Sequence, residues 1–382
     1  MKVALVGFGT VGRSVYKMLQ QAEGITPGLV LVLPEFYSAP FQTTDYNDIL
    51  NDPETEAVVE CITDAEEGYK YAKAALLAGK HFVSSSKAMV ALHAPELNRL
   101  AREKGVAFLF GAACGGSMPI LHALSQSRQM DKILSVSGVL NGTTNYMLDA
   151  MQRKGCSYED ALKVAQQLGY AEKDPTADVS GRDSLRKIML ACAVSYGILP
   201  VEGLNREGIE SLTAEDVNHF APKGLVCRLI AQGGKNEDGS VYACVEPVLF
   251  PKNAPECAVL DNNNLAKSQC LYNGSLVLMG QGAGGDPTAS NVMRDLILIK
   301  NGLKNFLPES CEEGKANNEG GRHRYYVRLN AQDIDLFPAA ETEMDGDICR
   351  IITSPMAVSR AHDAAKAIRS AGRKVFFAAL AE

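Results

Sequence analysis

The chain opens on a short apolar run, residues 3–6, that enters Gly7-Phe-Gly-Thr-Val-Gly12 and continues as an amphipathic stretch from about Val11 to Gln21. A few apolar residues bounded by glycine predict a buried strand, and the 3.6-residue spacing behind it predicts a helix. The alternation then repeats. Residues 29–33, 57–62, 81–84 and 106–110 read as strands. One helix is expected over about 65–78, ending at Gly79, and another opening at Pro95. Apolar strands alternating with helices predict a parallel sheet covered on both faces, with ligands beyond the carboxyl ends of its strands. Thr63 and the run Ser84-Ser-Ser-Lys87 fall at two such ends.

The pattern changes in the middle of the chain. Ser157-Tyr-Glu-Asp160 has the form of a capping box at the start of a helix that ends near Leu168. Residues 168–187, LGYAEKDPTADVSGRDSLRK, then interrupt the apolar periodicity with the acids Glu172, Asp174, Asp178 and Asp183 and the lysines Lys173 and Lys187. Asp174-Pro175 and Ser180-Gly181 break the chain, so a loop is expected there. Asp183 and Lys187 stand four apart at the start of a second helical pattern, on one face and within ion-pair reach. Such a pair on a helix surface contributes only about 0.3–0.5 kcal/mol. Beside a loop of further acids it also makes a site for a small zwitterion. Further on, residues 241–249 and 271–279 read as strands, Asn273-Gly274 as a tight hairpin, and 288–300 as a helix. Residues 308–322 read as a polar, glycine-rich linker. Strands at 325–329, 349–353 and 375–380, with a helix over 357–371, complete the pattern.

Composition narrows the function classes. A chain of 382 residues has room for two or three domains, and 46% apolar residues are ample for a core. Lys+Arg 38 against Asp+Glu 45 leaves a net charge of −7, without a basic stripe interleaved with aromatics, so a nucleic-acid partner is not expected. The ten cysteines show no CxxC spacing and read as reduced thiols of a cytoplasmic protein. None of the six histidines stands at metal spacing from cysteines or acids. The first strand begins at once, without a charged segment and longer apolar run of a secretory leader. No apolar run nears the roughly 20 residues that cross a bilayer.

Strand, GxGxxG and helix in that order form a dinucleotide fingerprint, in which glycines allow a tight turn and bring backbone close to a pyrophosphate at the helix N-terminus. An acid after the second strand suits a ribose diol, and a basic residue suits a 2′-phosphate. Glu35 stands near that place, and there is no Lys, Arg or His between Lys17 and Lys70. NAD is therefore expected over NADP, unless Arg13 supplies the charge.

At Gly138-Val-Leu-Asn-Gly-Thr-Thr-Asn-Tyr-Met-Leu148 the chain resembles homoserine dehydrogenase. The resemblance is reinforced by residues 168–183 with Lys187, and by Gly280-Gln-Gly-Ala-Gly-Gly-Asp-Pro-Thr-Ala289. It covers residues 1 to about 300 in order. It implies an α/β architecture: a Rossmann-type parallel-sheet domain (1–137 with 282–305), an α+β substrate and dimerisation domain (138–281), and a shortened ACT-like segment (320–382). The implied reaction is reversible reduction of L-aspartate 4-semialdehyde to L-homoserine with NAD or NADP, a step of threonine and methionine biosynthesis, in a homodimer or larger homo-oligomer. By this resemblance Lys187 is the proton donor, oriented by Asp183, and Lys87 sits near the nicotinamide and substrate. Glu172 and Asp178 hold polar groups of the substrate, while Gly142, Thr143 and Tyr170 shape its pocket. Gly7, Phe8, Gly9, Thr10, Val11, Gly12, Glu35, Thr63 and Lys87, with Gly169, Gly282 and Gly284, border the cofactor. The chemistry of the residues agrees. Hydride delivery to an aldehyde carbon builds charge on its oxygen, and an ammonium can donate a proton to that oxygen or stabilise it. A second cation lowers a lysine pKa and a carboxylate raises it, so two lysines and several acids sharing a site would poise such a group.

The chain departs from the family pattern in places. Gly111 stands where the family carries a glutamate that helps hold a sodium or potassium ion. The carbonyls of Cys114, Gly116 and Met118 remain as candidate ligands without that charge. Ser86 precedes Lys87 in place of an asparagine, and the second-strand region is short. The ACT-like segment lacks its acidic-Pro-Gly motif and first helix. It is expected to extend a sheet edge for oligomerisation and not to sense threonine. Two other functions stay open here: a dinucleotide-binding regulatory homologue without turnover, and an oxidoreductase for a related amino-acid aldehyde.

Overall fold

The structure, a computed structural model, describes residues 1–381. The chain forms two compact units. One comprises Met1–Lys132, Ala193–Leu199 and Gly280–Glu313; the other comprises Ile133–Cys192, Pro200–Met279 and the chain from Gly314 on.

The first unit is built on a six-stranded parallel sheet: β1 (Lys2–Val6), β2 (Thr26–Leu31), β3 (Gln42–Thr43), β4 (Thr55–Glu60), β5 (His81–Ser84) and β6 (Phe108–Leu109). The order is β3-β2-β1-β4-β5-β6, so the winding reverses between β1 and β4. In an open α/β sheet that reversal is where a crevice forms at the carboxyl ends of the strands. Val3, Ala4, Leu5, Val58 and Val59 are fully buried, as expected for strands covered on both faces. Asp64 caps the helix Ala65–Leu77 by accepting from Glu67 N–H at 3.0 Å. The helix expected to open at Pro95 instead spans Lys87–Glu103, with Pro95 inside it. Its cap is Ser86, whose hydroxyl accepts from Met89 N–H. A serine cap satisfies first-turn amides, so the helix starts directly behind β5 and Lys87 is its first residue.

The second unit carries a ten-stranded mixed sheet. Its main order is Gly274–Gln281, Asn263–Cys270, Ile133–Val139, Leu225–Lys235, Val241–Pro251, Phe376–Leu380, Tyr325–Asn330, Ile348–Thr353 and Ala339–Asp345, with Asn205–Arg206 paired to Val241–Pro251. The hairpin expected at Asn273-Gly274 is present, with Gly274 at φ +69°. The last four strands of that order pack with the helix Val358–Ser370, and a 3-10 turn, Ala331–Leu336, follows the strand Tyr325–Asn330. This C-terminal segment shares a sheet with what precedes it. Val248 pairs with Ala379 and Leu249 with Leu380, and Val248, Tyr325, Val327, Ile351 and Phe377 lie in one core. The strand Ala339–Asp345 was not expected from the sequence. All seven of its residues are exposed, so it has no buried face to create an alternation.

Residues 308–322, expected as a linker, are fastened down. Ala316 N–H donates to Glu202 O at 2.8 Å, and Asn318 Nδ2 donates to Gly203 O at 2.9 Å and Ala243 O at 3.0 Å. Asn318 thus directs its polarity to neighbouring strands, while Glu309, Glu312, Glu313 and Lys315 stay exposed. Among the described residues, no helix is long and apolar enough to cross a membrane.

Candidate active site

Two of the three fingerprint glycines of the first unit, Gly7 and Gly12, have a steric reason. Gly7 has φ +95°, and a Cβ there would lie 2.7 Å from Ile62 Cγ2. A Cβ on Gly12 would lie 2.3 Å from Gly7 O, so only glycine lets the helix pack this close to the turn. Gly9 faces open space. It begins the helix Thr10–Leu19 without a capping side chain, the arrangement in which first-turn N–H groups receive a phosphate. In front lies a groove of about 1170 Å³ bordered by Gly7, Phe8, Gly9, Arg13, Glu35, Ser38, Thr63 and Asp64. Glu35 is exposed in the turn Pro34–Phe36. Arg13 Nε donates to Phe8 O at 3.0 Å, and its guanidinium lies over the Phe8 ring. These residues fit a dinucleotide: an open glycine turn, a helix N-terminus and an exposed acid bordering the groove.

Behind this groove, Glu60 joins two strand ends. Its carboxylate accepts from Ser84 Oγ at 2.6 Å and from Ile62 N–H at 2.7 Å, while Ser84 Oγ accepts from Ser86 N–H at 3.0 Å. Glu60 is fully buried, and that burial pushes its carboxyl up to about 7 against these hydrogen bonds. The turn that carries Ile62 and Thr63 is thus tied to the turn that starts the Lys87 helix. Lys87 itself is half-buried.

The second unit gathers the other candidate residues. Lys187 Nζ lies 2.8 Å from Asp183 Oδ2 and donates to Leu140 O. The two side chains retain only 7% and 6% of their exposure, so this is not the solvated surface pair the spacing also allowed. Asn141 organises the cluster. Its Oδ1 caps the helix Gly142–Lys154 through Thr144 N–H at 2.9 Å. Its Nδ2 donates to Asp178 Oδ1 at 2.7 Å and to Asp183 Oδ2 at 3.0 Å. Thr143 Oγ1 lies 3.0 Å from Asp178 Oδ2 and 2.6 Å from Tyr170 O. Burial and the Asp183 charge push the Asp178 carboxyl up, opposed by its bonds to Asn141 and Thr143 and by the Lys187 charge. One ammonium, two carboxylates, an amide and a hydroxyl are therefore held in a fixed polar network that can give or take a proton at Lys187.

Other expected residues sit differently. Gly142 is a glycine because a Cβ there would lie 2.5 Å from Asn262 O. Gly169, at φ +76°, follows the last turn of the helix Tyr158–Gln167, a common glycine role. Glu172 is exposed in the loop beyond, where its backbone carbonyl accepts from Gln166 Nε2. The Tyr170 ring packs edge-on against Tyr146. Gly284, at φ +119°, begins the helix Gly285–Lys300, and Gly285 presses on Thr10 beside Val11. Gly282 lies against Gly116. The carbonyls of Gly116 and Met118 accept from Asn291 Nδ2, and Cys114 is buried in the same loop. Sequence reasoning passed over Asn141, Glu60 and Asn291 as site residues. Asn141 could have been found as an N-cap preceding Gly142, whereas the roles of Glu60 and Asn291 depend on tertiary partners.

A doubly wound parallel sheet with a glycine turn and open groove, together with a buried lysine–carboxylate pair, defines a dinucleotide-binding oxidoreductase. The family model for the NAD-binding domain of homoserine dehydrogenase matches residues 7–111, and the model for homoserine dehydrogenase matches residues 119–297. The chain is 36% identical over 325 residues to the homoserine dehydrogenase of a Synechocystis strain, covering 78% of this chain and 73% of that one. A crystal structure of a homoserine dehydrogenase from Thiobacillus denitrificans superposes with a TM-score of 0.88 at 27% identity, covering all of this chain and 98% of that one. A hyperthermophilic archaeal homoserine dehydrogenase mutant in complex with NADPH shares the fold, with a TM-score of 0.68 at 24% identity over 79% of this chain and 98% of that one. The chain belongs to the homoserine dehydrogenase family, NAD-binding oxidoreductases that act on a CH–OH group of a small molecule in amino-acid biosynthesis.

Proposed function

We propose that this chain interconverts L-aspartate 4-semialdehyde and L-homoserine, with Lys187 delivering a proton to the carbonyl oxygen in the reducing direction. The observation that carries the assignment is the buried Lys187–Asp183 contact, braced by Leu140 O and Asn141. A carboxylate at 2.8 Å fixes where the ammonium points, and a general acid needs that orientation. The bound nicotinamide would supply or take the hydride. Asp178 and Glu172 offer carboxylates for the substrate amino group, with Thr143 and Tyr170 beside Asp178, and Lys87 offers a cation.

The dinucleotide is assigned to the groove at Gly7, Phe8 and Gly9, with Glu35 on the ribose diol and Thr63 at the end of β4. NAD is favoured over NADP by that acid. Arg13 is the cation that would turn the choice towards NADP, the ligand of the archaeal relative. A homodimer is supported by the edge strand Gly274–Gln281, which exposes Leu276, Val277 and Met279. The ten cysteines, all thiols, support the reducing environment of the cytoplasm. Homoserine-dependent reduction of NAD and of NADP, measured side by side, tests this reading. Higher kcat/KM with NAD is expected, and Glu35→Ala should erode that preference. A chain inert with both cofactors would favour a binding protein without turnover.

A further inference from the structure

The loop that follows β6 has the backbone of a cation cradle, yet a side chain of this protein already occupies it. Asn291, on the helix Gly285–Lys300, has no exposed surface. Its Nδ2 lies 2.7 Å from Gly116 O, 2.9 Å from Met118 O and 3.3 Å from Gly111 O. An amide nitrogen carries two protons, so the two shorter contacts are its hydrogen bonds and the third is a weaker, shared one. The orientation of the amide is set from the other side: Asn291 Oδ1 accepts from Arg294 Nη1 at 2.6 Å. A flipped amide would place two donors face to face there and an oxygen against the carbonyls. The nitrogen therefore belongs among the carbonyl oxygens, polarised by the guanidinium behind it.

The position of the family's glutamate is closed as well. A Cβ on Gly111 would lie 2.7 Å from both Asp295 Oδ1 and His122 Cε1. Asp295 is fully buried and accepts from Gly111 N–H at 2.8 Å through Oδ2, while Oδ1 lies 2.9 Å from His122 Nε2. Oδ2 is thus held by the Gly111 amide, while Oδ1 lies against the His122 ring without a well-aligned hydrogen bond. The donor set does not fit a monovalent cation: the charged ligand is missing, its space is filled, and two of the three candidate carbonyls already accept hydrogen bonds.

We propose that the Asn291 amide takes the place of the monovalent cation, so that this protein holds the loop from Gly111 to Met118 by a hydrogen-bonded side chain and is indifferent to sodium and potassium. The cradle matters because of what it supports. Gly116, at φ +57°, packs so closely on Gln281 and Gly282 that an added Cβ would lie 2.4 Å from Gln281 O. Ser117 N–H donates to that same carbonyl at 3.0 Å. The turn at residues 282–284, next to the fingerprint helix, is thus braced by the residues Asn291 holds. The proposal draws on the family assignment only for the expectation of a cation, and its main readouts do not require turnover.

The test uses the full chain in choline, sodium and potassium chlorides at equal ionic strength. For wild type, the melting temperature and the homoserine oxidation rate should be the same in all three salts, and sodium-23 relaxation should show no saturable broadening. Asn291→Asp keeps the shape but replaces the donor by an oxygen that faces the carbonyls. This variant should melt several degrees lower in choline, with part of the loss recovered in sodium or potassium. Asn291→Ala should also melt lower in choline. A wild-type melting temperature that rises with sodium or potassium over choline, saturable sodium-23 broadening, or either variant melting like wild type in choline would overturn the proposal. The melting and sodium-23 measurements stand even if the chain proves inactive, which separates failure here from failure of the proposed reaction.

Discussion

Replacing Asp183 by Asn strands a charge and leaves the shape intact. In the folded protein the Lys187 ammonium lies 2.8 Å from Asp183 Oδ2, both side chains are nearly buried, and Leu140 O takes one of its protons. Removing one partner of a buried ion pair costs about 3–5 kcal/mol, because the remaining charge has lost its compensation. Here Leu140 O persists and Asp178 contributes charge to the same cluster, which places the cost near the lower end, at about 3 kcal/mol. The asparagine can still accept from Asn141, so that part of the network is retained. Asp183→Asn/Lys187→Met removes both charges at once. It should be more stable than Asp183→Asn alone, since no charge is left stranded. Activity should separate from stability. The single variant loses the group that orients the ammonium, with kcat falling by about tenfold or more, and the double variant should be inert. Urea unfolding of the set, beside initial rates of homoserine oxidation, checks both. An Asp183→Asn protein with wild-type midpoint and kcat, or a double variant less stable than the single one, would refute the coupling.

Other consequences can be checked separately. The Glu60 carboxyl is held near 7 in the fold against an ordinary value near 4.5. The folded state therefore binds that proton more tightly than the unfolded chain, and wild type should lose about 3 kcal/mol of stability as pH rises through that window. Glu60→Gln should flatten that slope in melts taken from pH 5 to pH 8, and an unchanged slope would show that Glu60 titrates normally. With a 3-10 turn after its first strand and its strands fused into the larger sheet, the C-terminal segment should leave turnover unaffected by millimolar threonine. Inhibition in initial-rate assays would contradict this. Val277→Glu on the exposed edge strand should shift the mass in sedimentation velocity from dimer to monomer, and an unchanged mass would place the interface elsewhere.

Most of the first unit was legible in the sequence because its strands are buried on both faces and read as short apolar runs between glycines. Gly7 and Gly12 carry their steric reasons in their spacing. The Lys87 helix start was misread because Pro95 drew attention from the serine cap nine positions before it. The i,i+4 spacing of Asp183 and Lys187 foretold their contact but not their burial, which comes from Asn141, Leu140 and Asp178 closing over them. Five strands of the second sheet were read from the sequence; among those missed, Ala339–Asp345 has no buried face and Leu225–Lys235 is buried nearly throughout, so neither shows an alternation. The role of Asn291 was beyond reach, because its carbonyl partners stand far away in sequence.

Proton delivery by Lys187 is tested most directly by kcat for homoserine oxidation and for semialdehyde reduction in Lys187→Ala, measured beside wild type across pH with the preferred cofactor. A loss of about 100-fold or more in both directions, with cofactor affinity unchanged, is the expected result. A loss below about tenfold, roughly 1.4 kcal/mol, would contradict it and move the proton donor to another group.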